Sequence, residues 1–168
     1  MTTSSPSESW SNPLSGPGTW TQRLADLGIT LPAVAAPVAA YVPAVRSGNQ
    51  VFTSGQLPFV DGTLAASGKV GGEVGPDEAK RHARTCALNA LAAVHALVGI
   101  DAVVRVVKVV GFVASAEGFT GQPVVVNGAS ELLGEIFGEA GAHARSAVGV
   151  AELPLGAPVE VELVVEVR

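Results

Sequence analysis

The segment ARSAVGVAEL carries one arginine among very small neighbours. Read as a strand, it places Arg145, Ala147, Gly149 and Ala151 on one face and Ala144, Ser146, Val148 and Val150 on the other. A guanidinium is a planar fork of donors matched to a carboxylate, and small side chains around it leave room for such a ligand. An interface salt bridge or a solvated surface arginine would use the same residues, and the local pattern leaves these alternatives open. The following segment, PVEVELVVEV, alternates Val159, Val161, Leu163, Val165 and Val167 with Glu160, Glu162, Val164 and Glu166. One face is wholly apolar and the other mixed, with carboxylates available for proton transfer.

A second unusual stretch is VFTSGQLPFVDG, where an alternating strand turns small and polar at Thr53, Ser54, Gly55 and Gln56. Glycine inside a strand weakens it, so its presence marks a bulge or a place where a ligand or another backbone comes close.

Other chemistries find less support. Cys86 is the single cysteine, which excludes an internal disulfide and a cysteine metal cluster and fits a reducing, cytoplasmic setting. On a helix it reads as a small buried apolar group. His82, His95 and His143 lack metal-ligand spacing, so neither a metal nor another cofactor is implied; His143 shares strand parity with Arg145. The formal net charge is −5 and no basic cluster is visible, which disfavours partners recognised through nucleic-acid phosphates or anionic lipids. No run is long and apolar enough for a membrane span, and the opening MTTSSPSESWSNPLSGPG lacks the basic start and apolar stretch of a secretory signal. Residues 1–20 are expected to form a disordered tail ahead of a single domain over 21–168.

Elements must position the arginine and the carboxylates. RLADLGITLP suggests a short helical flap, and AAYVPAVRSGNQVFTSGQL two strands about Gly48-Asn49, the first at an edge because of Pro43. GPDEAKRHARTCALNALAAVHALVG reads as a helix with Pro76 at its start and Gly99 at its stop. Its expected buried stripe is Ala79, Ala83, Ala87, Ala90, Leu91, Val94 and Leu97. DAVVRVVKVVGFVA is an interior strand, with Arg105 and Lys108 expected on opposite faces from their parity. QPVVVNGASELLGEIFGEAG is a second helix, burying Val126, Ala129, Leu132, Leu133, Ile136, Phe137 and Ala140, stopped by Gly141, with Glu131, Glu135 and Glu139 in solvent. The order is ββαβαββ, an α+β fold. Crossovers of one hand return both helices to the same side of the sheet, so the other face must be covered by further subunits.

The string HARSAVGVAELPLGAPVEVEL resembles the closing signature of the RidA/YjgF family of reactive-intermediate deaminases, and AAYVPAVRSGNQVFTSGQLP resembles its opening. The agreement runs from about Ala39 to the end, and the longer chain looks like a subgroup whose members are less clearly tied to one substrate. The resemblance implies a chorismate-mutase-like (YjgF-like) fold, one mixed sheet with two helices on one face, assembled as a homotrimer with sites between subunits. It assigns carboxylate binding to Arg145 and water positioning to Glu160. Further ligand contacts fall on Tyr41, Ser54, Gly55 and Asn127. Ala147 departs from the family pattern, which carries a cysteine there.

The implied reaction is hydrolysis of a 2-imino acid, the tautomer of an enamine such as 2-aminoacrylate, to a 2-keto acid and ammonia. A small-carboxylate-binding trimer without turnover would use the same arginine, and another hydrolase or lyase of this fold would use the same cleft. RNA cleavage, described for some family members, fits poorly with the acidic charge and the scattered histidines. A simple hairpin of the last two strands would keep Arg145 and Glu160 several rows apart.

Overall fold

The computed structural model describes residues 18–34 and 40–168. Residues 1–17, most of the expected tail, and 35–39 lie outside the described residues.

The chain runs α1 (Trp20–Asp26), β1 (Ala44–Ser47), β2 (Gln50–Thr53), β3 (Phe59–Val60), β4 (Thr63–Leu64), α2 (Pro76–Val98), β5 (Val103–Ala114), α3 (Gln122–Phe137), β6 (Ala144–Val150) and β7 (Val159–Val167). Five strands form one mixed sheet in the order β1-β2-β7-β5-β6, and β3 and β4 form a separate ribbon. The ββαβαββ core is therefore present, with a third helix and a small ribbon added to it. In the ribbon turn, Asp61 and Gly62 both have positive φ, the geometry that twists a two-residue turn to match its strands.

The α2 and α3 helices pack against each other, α2 on β7 and α3 on β5 and β6. Val159, Val161, Leu163, Val165 and Val167 are buried beneath them, while the intervening residues of β7 remain partly exposed. Small residues bring the helices close: a Cβ on Gly128 of α3 would collide with the backbone carbonyl of Lys80 on α2. At the rim of that contact Lys80 pairs with Glu131 at 2.8 Å, and both Arg84 Nη atoms donate to Glu135. Glu131 and Glu135 are thus helix-to-helix partners of α2 and not simply a solvated face.

Four further expectations need correction. Leu97 is 46% exposed; the α2 stripe continues instead through Cys86, Ala92 and Ala93. The α3 helix stops at Gly138, at φ 56°, and one 3-10 turn carries the chain on through Gly141. Arg105 and Lys108 share a face: they lie opposite Glu166 and Val164 of β7, because the register shift between Val106 and Lys108 cancels the parity count. Finally, α1 is part of the core and begins within the expected tail. Thr19 caps it, Trp20 and Leu24 are buried, Trp20 Nε1 donates to Val103 O at 2.8 Å, and the indole meets Phe137 edge-on at 4.9 Å.

Candidate functional site

Arg145 lies on β6, the edge strand, in register with Val109 of β5. Val109 is fully buried under the helices, so Arg145 also points to the helix side. There α3 receives it: Nη1 donates to Asn127 Oδ1 at 2.8 Å and to Ser130 Oγ at 3.2 Å, and Nη2 donates to the Pro123 carbonyl at 3.3 Å. Residues 123, 127 and 130 fall on one face of a helix, which is why one helix can hold one guanidinium. Nε and the second hydrogen of Nη2 have no protein partner among the described residues. They form the edge open to an incoming carboxylate.

The smallness of the neighbouring residues has a structural part. A Cβ on Gly111, the register partner of Ala147, would collide with Val126 of α3. One on Gly149 would come within 2.8 Å of Gln122 Nε2 and 3.0 Å of Ser115 Oγ. The first turns of α3 thus approach the sheet closely here, and Ala147 packs at the margin of the core.

Glu160 occupies the other face. It is in register with Phe112, and Phe112 with Val148, which places Glu160 two strands across and three rows along from Arg145. That separation is about 14 Å between Cα atoms for ordinary strand spacings. Within one chain Arg145 and Glu160 therefore share neither a face nor a pocket. Burial, followed by the neighbouring Glu162 charge, pushes the Glu160 carboxyl above the usual carboxylate range.

The unusual stretch at residues 53–56 is a bulge built around this carboxylate. Phe52 pairs with Val164 and Gln56 with Val161, so β2 and its continuation spend one residue more than β7. Thr53 Oγ1 accepts the Leu163 N–H at 2.9 Å in place of a backbone bond, and Ser54 Oγ donates to the Val42 carbonyl at 2.7 Å. A Cβ on Gly55 would overlap the Glu160 carboxylate, so glycine there is what gives that side chain its place. Tyr41, 51% exposed, sits on the segment that Ser54 ties down.

The expected residues therefore form two groups, Arg145, Asn127 and Ala147 on the helix side of β6 and Tyr41, Ser54, Gly55 and Glu160 at the β2–β7 margin. Ser130 was not singled out from the sequence, although its helical spacing from Asn127 signals a shared face. Among the described residues no three His, Cys, Asp or Glu side chains group as metal ligands, and no helix is long and apolar enough to cross a membrane.

Comparison with known proteins agrees with this architecture. Residues 21–167 match the family model described as "YjgF/chorismate mutase-like, putative endoribonuclease", and the chain belongs to that family. Protein TCP17 of Trypanosoma cruzi is 48% identical over 148 residues, 87% of this chain and 92% of that protein. The crystal structure of Atu1372 from Agrobacterium tumefaciens, described as of unknown function, is 46% identical with a TM-score of 0.81, over 89% of this chain and 92% of the other. Escherichia coli TdcF, solved with bound serine, is 26% identical with a TM-score of 0.59, over 83% and 95% of the two chains.

Proposed function

We propose that the protein hydrolyses small 2-imino acids of the 2-aminoacrylate type to 2-keto acids and ammonia, at clefts between the subunits of a homotrimer. The observation that carries this reading is the Arg145 fork, held by Asn127, Ser130 and Pro123 with its Nε edge uncommitted. Such an arginine binds a carboxylate in a set orientation and so fixes the adjacent imine carbon. Glu160, with its carboxyl raised by burial, is suited to take a proton from the attacking water. Water adds to the C=N carbon, the nitrogen takes up a proton, and the carbinolamine collapses to ketone and ammonia. Because the two residues face opposite sides of one sheet, each cleft would take Arg145, Asn127 and Ala147 from one chain and Glu160, Gly55, Ser54 and Tyr41 from another. The serine bound by TdcF, itself a small carboxylate, supports this ligand class.

RNA cleavage, named in the family description, is less well served. His82 contacts Glu78, His95 Nδ1 accepts the Ile100 N–H and His143 contacts Ser130, so the histidines make no acid–base pair. With net charge −5, the chain also lacks the electrostatic attraction such a substrate needs. A reducing, cytoplasmic setting fits the lone buried Cys86.

The test supplies 2-aminoacrylate in situ from a dehydratase and follows pyruvate release, which the wild type should accelerate. Arg145→Lys keeps the charge and loses the fork; kcat/KM should drop about 10- to 100-fold. Glu160→Gln should keep keto-acid binding and lose about 100-fold in turnover, and Gly55→Ala, which displaces the carboxylate, should follow it. Wild-type performance by the lysine variant would remove the bidentate role. No acceleration with any of several imino acids, alongside keto-acid binding through Arg145, would leave a carboxylate-binding trimer.

A further inference from the structure

Beyond the direct contacts of Arg145 lies a chain of hydrogen bonds that runs back into the fold. Ser130 Oγ, which accepts from Arg145 Nη1, is 2.9 Å from His143 Nε2, and His143 Nδ1 is 2.6 Å from the Gly141 carbonyl. A carbonyl oxygen only accepts, so Nδ1 carries the proton and a neutral imidazole presents Nε2 as an acceptor. With the imidazole neutral, Ser130 donates its hydroxyl proton to His143, which turns its lone pairs toward the guanidinium. The bonds all run one way, from Arg145 to Ser130 to His143 to the backbone at Gly141.

We propose that Ser130 and His143 are positioning residues that fix the rotation of the Arg145 guanidinium, so that its Nε–Nη2 edge meets a ligand carboxylate. The inference rests on the reading of Arg145 as a carboxylate clamp. Without Ser130, the bonds to Asn127 and the Pro123 carbonyl would leave one Nη1 hydrogen unpaired and one restraint fewer on rotation of the guanidinium about its last side-chain bonds. Ser130 occupies that hydrogen, and His143 sets the direction of the hydroxyl. The anchor is firm because Gly141 is buried, and a Cβ there would collide with the Leu133 carbonyl. His143 immediately precedes β6, two residues before Arg145, so the entry to that strand and α3 together determine the geometry.

The experiment uses the full chain labelled with 15N-arginine and two readouts, guanidinium rotation by NMR without ligand and the Kd for pyruvate by calorimetry. Ser130→Ala and His143→Phe should both speed rotation at Arg145 and raise the pyruvate Kd, about tenfold for the alanine variant. Ser130→Thr, which keeps the hydroxyl, and His143→Gln, which keeps an acceptor, should restore both. Unchanged rotation in Ser130→Ala and His143→Phe overturns the proposal, as does freed rotation with unchanged Kd. A failure of the clamp reading shows separately: pyruvate would not bind the wild type, while rotation would still respond to Ser130→Ala.

Discussion

Glu160 ionises against its surroundings, and that has a measurable cost. Its pKa is raised by burial and by Glu162, so the charged form is disfavoured in the fold relative to the unfolded chain. Its stabilising contribution is complete below the ordinary carboxylate pKa and is lost as pH rises through the elevated folded value. Glu160→Gln should therefore raise the melting temperature at pH 7, and the gain should disappear as the pH falls below the carboxylate range. A lower melting temperature at pH 7 would instead indicate a compensating cation from another subunit. Cys86 lies close enough for the Glu160 charge to act with burial in pushing its thiol up, which keeps it protonated and suits a packing group.

At the scale of elements, α1 shows how a short helix becomes structural. Seven residues have little helical stability of their own. Trp20 and Leu24 supply it by burial, Thr21 donates through its N–H and hydroxyl to the Asp101 carboxylate, and Arg23 donates to the Glu135 carbonyl. Burial pushes the Asp101 carboxyl up, but the bonds from Thr21, aided by the Trp20 N–H and the nearby His95, outweigh it and hold the carboxyl below its usual range. Deleting residues 1–17, a Ser/Pro-rich segment with few apolar groups, should leave thermal unfolding unchanged. Trp20→Ala should cost about 3–5 kcal/mol in denaturant unfolding. Equal effects of the two changes would show that the segment before Gly18 packs as well.

At the scale of the whole molecule, the side of the sheet away from the helices is unfinished. Val45 is 52% exposed, Phe52 43% and Val148 44%, and they share that face with Val164 and Phe112 around the Glu160–Glu162 pair. An apolar sheet face of this kind suits a partner surface, and the proposed reaction, with its residues divided between two faces, needs a second chain. Sedimentation equilibrium at micromolar concentration should return three times the 16.9 kDa chain mass. A monomer would remove the intersubunit site, and with it the proposed pairing of Arg145 and Glu160.

Periodicity was legible wherever one side of an element is buried. The period-2 pattern of β7 and the 3.6-residue stripes of α2 and α3 reflect burial on a single face, so they identify the element and its inner side together. The peptide geometry that needs Pro76 at a helix start, or Gly48-Asn49 in a hairpin, is equally local. Parity failed in β5, because a bulge is an agreement between two strands and leaves no clear mark in one of them. It was also silent on where β6 pairs. Placing β5 between β6 and β7 is a long-range choice, made by packing β5 under α3 and against both neighbours. Arg145, Gly55 and Glu160 could thus be picked out by residue type and spacing, from a fork of donors, a missing side chain and a carboxylate. That Gly55 cradles Glu160, that α3 holds Arg145, and that the two groups face apart depends on contacts between residues distant in the chain, which only the tertiary structure brings together.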